Sequence, residues 1–182
     1  MTDNFSAYQF GEIYDDLALD TRGLGYVMLD TEPIGELPIP KEYLYYHPDP
    51  DRHIQGLVSA HTPHVTLLGG ILPGVKKWHV DSVLEDWWVK QIRLYEVDVF
   101  DSPDGTYYCV VVGVFTDQLI EAHKRLSLLP HINAFPDFKA HLTLAYIKHD
   151  DEILQKTLDI VRPMVEYNYL DTRQINYGDK IR

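Results

Sequence analysis

The chain has 182 residues, 45% of them hydrophobic and 24% charged, which suits a packed globular protein and is too apolar for a disordered one. Sixteen lysines and arginines stand against 28 aspartates and glutamates, a formal net charge of −12, and this disfavours the counterion-release binding of long nucleic acid. A single cysteine, Cys109, excludes an internal disulfide, and no apolar run approaches the roughly 20 residues that span a bilayer.

Residues 1–24 show neither the charge pattern of a leader nor a clear period, and read as an arm or a short helix around Ile13 to Leu19. Gly25 to Asp30 is a first strand, followed by a long connection punctuated by Pro33, Pro38, Pro40, Pro48 and Pro50. Connections of that length are often functional lids. His64 to Gly70 is a second strand. Val80, Val83, Leu84, Trp87 and Trp88 recur at helical spacing, with Asp81 or Ser82 near the start, and both tryptophans read as core. Ile92 to Phe100 alternates as a strand, Asp101 to Gly105 is turn chemistry, and Tyr107 to Phe115 is a dense apolar run suited to a central strand. A second helix is predicted from Thr116 or Asp117 to about Leu129, with Leu119, Ile120, His123 and Leu126 inward. His141 to Ile147 is a strand. Ile153, Leu154, Thr157, Leu158 and Val161 trace a third helix stopped by Pro163, and Tyr169 to Tyr177 is the last strand.

The chain repeats itself. His64-Val-Thr-Leu returns as His141-Leu-Thr-Leu 77 residues later, and at the same offset Ile92 falls on Tyr169. Strand, long connection, motif strand, helix and strand occur twice in that order. Two copies are too few for a solenoid and predict a duplicated, pseudo-two-fold α+β domain.

Along a strand, residues i and i+2 share a face. His64 therefore projects with Thr66, and His141 with Thr143, each pair backed by apolar neighbours. Two imidazoles and two hydroxyls meeting across a cleft suit in-line displacement at phosphorus. Histidine titrates near neutrality and serves as either proton acceptor or donor, and hydroxyls can donate to the phosphoryl oxygens.

The paired His-x-Thr-Leu motifs resemble the signature of the 2H phosphoesterase superfamily, and the likeness covers roughly residues 25–180. The resemblance implies a single bilobal domain over residues 1–182. Its lobes would lie near 25–100 and 105–180, with strand exchange an option, and two antiparallel sheets would form a V-shaped cleft flanked by helices. It also implies phosphodiester chemistry without metal or cofactor. By position, His64 and His141 would be the acid–base pair and Thr66 and Thr143 the phosphate clamps. The family acts on 2′,3′-cyclic nucleotides, 2′-5′ linkages, ADP-ribose cyclic phosphate, oligonucleotide ends and cyclic oligonucleotides. The acidic balance favours a small, enclosed nucleotide over a long nucleic acid or a membrane. The expectation leans to cyclic di- or trinucleotide signals, of the kind destroyed by phage enzymes that disarm bacterial defence. The alternatives are a 2′,3′-cyclic or 2′-5′ phosphodiesterase and a non-catalytic protein that holds a nucleotide. A cytoplasmic setting is expected, and the oligomeric state is left open.

Other residues carry weaker signals. Tyr26 is a candidate for contact with a base, with the face of its strand undetermined. The Tyr43 to Tyr46 cluster would stack on a base if the long connection closed over the cleft. His47-Pro-Asp-Pro-Asp-Arg-His53 has the composition of a metal site, but its prolines favour a solvated lid. His61 and His131 lie near the motifs. Cys109, in the most apolar strand, reads as inert. No P-loop, dinucleotide-binding glycine pattern or nucleophile elbow occurs.

Overall fold

A computed structural model describes residues 24–50, 54–58, 63–132, 137–178 and 181. Six strands alternate with three helices: β1 (Gly25–Thr31), β2 (His64–Ile71), α1 (Lys77–Val83), β3 (Gln91–Asp101), β4 (Tyr107–Val114), α2 (Asp117–Leu126), β5 (His141–Lys148), α3 (Asp151–Val165) and β6 (Tyr169–Tyr177). A 3-10 turn, Lys41–Tyr43, lies in the long connection. Every strand pair is antiparallel, and the strands close a ring in the order β1-β2-β5-β4-β3-β6. Exchanging β1 with β4, β2 with β5 and β3 with β6 leaves each neighbour relation intact, which is the two-fold relation predicted from the repeat. The last strand of each half pairs with the first strand of the other, β3 with β4 and β6 with β1.

Alternation decides which face is buried. Val27 and Leu29, Val65 and Leu67, Ile92 and Leu94, Val110 and Val112, and Leu142 and Leu144 all lie in one core with Leu119, Ala122 and Leu126 of α2 and Leu158, Val161 and Val165 of α3. The helices thus cover one face of the sheet, and the polar alternates of the same strands occupy the other. Helix α2 is started by Thr116, whose hydroxyl accepts from the Gln118 amide at 3.1 Å, and ends in His123, Lys124 and Arg125, which complement its dipole. Helix α3 is capped by Asp150, which accepts from the Ile153 amide at 2.9 Å.

Three expectations are corrected. Helix α1 starts before Asp81 and stops at Val83; Asp86 takes φ 59° and the chain continues extended, so the period changes from 3.6 to 2. Trp87 and Val89 then point inward, with the Trp87 indole donating to the Gln118 carbonyl at 2.8 Å, whereas Trp88 is 45% exposed. Pro163 does not stop α3, which runs on to Val165. A proline this close to the end removes one hydrogen bond at little cost to the rest of the helix. The proline-rich connection is not a free lid along its length. Leu37, Ile39 and Leu44 are buried in the core, and residues 44–45 and 56–58 run along the edge of β5. The Tyr45 amide donates to the Tyr146 carbonyl at 2.9 Å, the Tyr146 amide to the Gly56 carbonyl at 2.8 Å, and the Val58 amide to the Leu144 carbonyl at 2.9 Å. Among the described residues of this strap (44–58), Tyr46 and the run Pro48, Asp49 and Pro50 are exposed. The arm over residues 1–23 lies outside the described residues. Among those described, no helix is long and apolar enough to cross a membrane.

Candidate active site

Strands β2 and β5 meet at one antiparallel pair, Val65↔Leu142. Around that pair the antiparallel register sets His64 across from Thr143 and Thr66 across from His141. All four stand on the face away from the buried Val65, Leu67, Leu142 and Leu144. Diagonal neighbours in such a pairing have their backbones roughly 7–8 Å apart, a distance that two imidazoles can close around one phosphate. The histidines are close enough that charge on His64 disfavours charge on His141. Two motifs 77 residues apart in the chain thereby converge on one point.

The surroundings of the two halves differ. His141 Nδ1 lies 2.9 Å from the Lys139 carbonyl, so this nitrogen carries the proton and Nε2 presents a lone pair. Burial pushes the His141 pKa below its ordinary value, and His64 pushes it the same way; the Lys139 carbonyl and Asp98 oppose the shift. Phe100 sits edge-on to the ring, with centroids 5.2 Å apart. Across the strand on β4 is Gly113. His64 instead faces Asp30 on β1, whose carboxylate accepts from Gln174 Nε2 at 3.1 Å and Asn176 Nδ2 at 3.3 Å on β6. Thr66 is exposed and pairs with Met28. The Cys109 thiol is hydrogen-bonded with Thr143 and Tyr146, and burial pushes its pKa up to about 12, so it stays an unreactive thiol on the site face.

A row of aromatic side chains continues along β5 beyond Thr143. Tyr45 stacks on Tyr107, with centroids 5.1 Å apart and planes at 24°, and Tyr107 meets Tyr146 edge-on at 5.6 Å. Of the Tyr43 to Tyr46 cluster, it is Tyr45 that joins this stack, because the strap holds it against β5. Tyr26 is 40% exposed and shares a face of β1 with Met28, the partner of Thr66; its ring lies against Gly178, where a Cβ would come within 2.8 Å. His131 pairs with Ile71 and lies 2.8 Å from the Leu129 carbonyl, which makes it a structural residue of the α2–β5 connection. His47 Nδ1 accepts from the Asp49 amide at 2.9 Å, while His53 and His61 lie outside the described residues. Among the described residues, no group of three or more His, Cys, Asp or Glu side chains is placed to hold a metal ion. Sequence reasoning missed Asp30, Phe100, Tyr107, Gly113 and Tyr146. Their signal was their cross-strand position relative to the motifs, which exists only once the register is fixed.

The chain matches no protein-family model and no curated protein sequence. Its fold is similar to that of Usb1 from Kluyveromyces marxianus, with a TM-score of 0.50 and 10% identity over 89% of this chain and 96% of that one. A structure of the same yeast protein with uridine monophosphate gives a TM-score of 0.50 and 11% identity over 87% of this chain and 94% of that one. At such identity the likeness shows a shared α+β architecture.

Proposed function

We propose that the protein is a 2H-type phosphodiesterase that hydrolyses a nucleotide phosphodiester by acid–base catalysis between His64 and His141. The observation that carries this reading is the Val65↔Leu142 pair, which brings both His-x-Thr motifs to one face. His141, neutral with its Nε2 lone pair available, takes the proton from the attacking water or from a ribose 2′-hydroxyl of the substrate. As the new oxygen–phosphorus bond forms, the bond to the opposite oxygen breaks, and His64 as imidazolium protonates that leaving oxygen. One proton is gained at His141 and one lost at His64, so exchange with solvent restores the starting state. The Thr66 and Thr143 hydroxyls donate to the two non-bridging oxygens, where charge builds up. Proton transfer and charge neutralisation both come from side chains, and the mechanism calls for no metal.

A nucleotide substrate is supported by the nucleotide bound to the similarly folded yeast protein. The net charge of −12 favours a compact ligand, a cyclic di- or trinucleotide first and a 2′,3′-cyclic or 2′-5′-linked nucleotide second. Incubating the protein with a panel of these compounds in excess chelator tests the reading. Linear products from wild type and none from His64→Ala are expected. Every nucleotide recovered intact would instead mark a protein that only holds its ligand, and activity lost on chelation would overturn the metal-free mechanism.

A further inference from the structure

Gly113 occupies an expensive place for a glycine. It lies inside β4, a strand paired on both sides, where a missing side chain costs stability. Neither backbone nor packing demands it. Its φ is not in the left-handed region, and a Cβ would sit 3.7 Å from the Glu96 carbonyl oxygen and 3.9 Å from Tyr95 Cβ, both ordinary contacts. What the glycine leaves is space directly across the sheet from His141. That space opens into a pocket of about 300 Å³ at the end of β4, walled by Tyr95, Phe115, Phe138 and Lys139 and, from the helix side, by Leu119 and Ile120 of α2.

The walls suit a flat ring. Tyr95 and Phe115 meet at 85° with centroids 6.2 Å apart, and Phe115 keeps 59% of its surface exposed. Phe138 is anchored by stacking on His123 at 4.1 Å, and the Arg93 guanidinium lies over Tyr95 at 5.4 Å. Lys139 lines the pocket, and its carbonyl accepts from His141 Nδ1. Gly113 and Lys139 therefore border both the pocket and His141, although neither histidine lines the pocket itself.

We propose that this pocket takes the nucleobase of the nucleotide whose phosphate sits between His64 and His141. The inference rests on the phosphodiesterase reading for the phosphate and on the pocket alone for the base. Its test is a binding measurement: calorimetric titration of adenosine and uridine monophosphates against ribose 5-phosphate, which carries the same phosphate and no base. Wild type is expected to bind the nucleotides about 10-fold or more tightly than ribose 5-phosphate. Gly113→Val, which fills the floor, and Phe115→Ala, which removes an exposed wall, should both abolish that advantage while ribose 5-phosphate binding persists. Equal binding of nucleotide and sugar phosphate by wild type, or an advantage that survives in both variants, overturns the proposal. If Gly113→Val does not fold, Phe115→Ala decides alone. Hydrolysis that His64→Ala abolishes, without any base advantage, would sink the pocket and leave the phosphodiesterase. A base advantage removed by both variants, without hydrolysis of any diester, would sink the enzyme and leave the pocket.

Discussion

His141 is where the two halves of the site stop being equivalent. Burial lowers its pKa, so the folded protein resists a proton that the unfolded chain accepts near pH 6.5. The stability it contributes is full above about pH 6.5 and is lost as pH falls towards the folded value, because the unfolded state then binds more protons. His141→Asn should flatten that part of the stability profile in urea melts between about pH 5 and 7. A histidine titration by NMR in which His141 protonates at or above its ordinary value would contradict the account. In the proposed mechanism the threonines hold the non-bridging oxygens during the displacement. Thr66→Val and Thr143→Val should each cost roughly 10²-fold in kcat with the fold intact, since each removes one donor to the developing charge. Unchanged kcat in both variants would remove the hydroxyls from the mechanism. These four residues were legible in the sequence because the i, i+2 period of a strand fixes a face without any knowledge of its partner. Gly113, Tyr107 and Tyr146 were not. β4 reads Tyr-Tyr-Cys-Val-Val-Val-Gly-Val, apolar on both faces, so its alternation is hidden until β3 and β5 are set beside it.

At the scale of elements, strands were read closely and the ends of helices less so. The spacing from Val80 to Trp88 fits a helix as far as Leu84. It fits a turn and an extended Trp87-Trp88-Val89 equally well, and the left-handed Asp86 decides for the second. The length of the strap suggests a lid, and its prolines lack a ladder donor. The amides that pair with β5, at Tyr45 and Val58, fall between the prolines, and the carbonyl of Gly56 serves as acceptor. One buried group in α3 has no partner: the Thr157 hydroxyl is fully buried and makes no hydrogen bond among the described residues. Thr157→Val keeps the shape and removes the uncompensated hydroxyl, so a gain of about 1 kcal/mol in denaturant unfolding is expected. A loss of similar size would mean that the hydroxyl is satisfied in solution.

The molecule as a whole is a ring of strands closed through both halves, and closure is what brings β2 beside β5. The 77-residue repeat made the duplication visible. It left open how the halves join, because the pairs β3–β4 and β1–β6 depend on a choice of partner that local pattern does not encode. Removing residues 169–182 would strip β6 from both β1 and β3, and this truncation is expected to lose cooperative unfolding by circular dichroism. A truncated chain that melts cooperatively would show that one half folds without closure. The central claim is that one imidazole from each half works on the same phosphorus atom, and a double-mutant cycle on diester hydrolysis tests it most directly. His64→Ala and His141→Ala should each lower kcat by about 10²–10⁴-fold, and the double variant should fall little further, as expected of residues that act as a unit. Single variants that keep wild-type turnover, or losses that simply multiply, would contradict it.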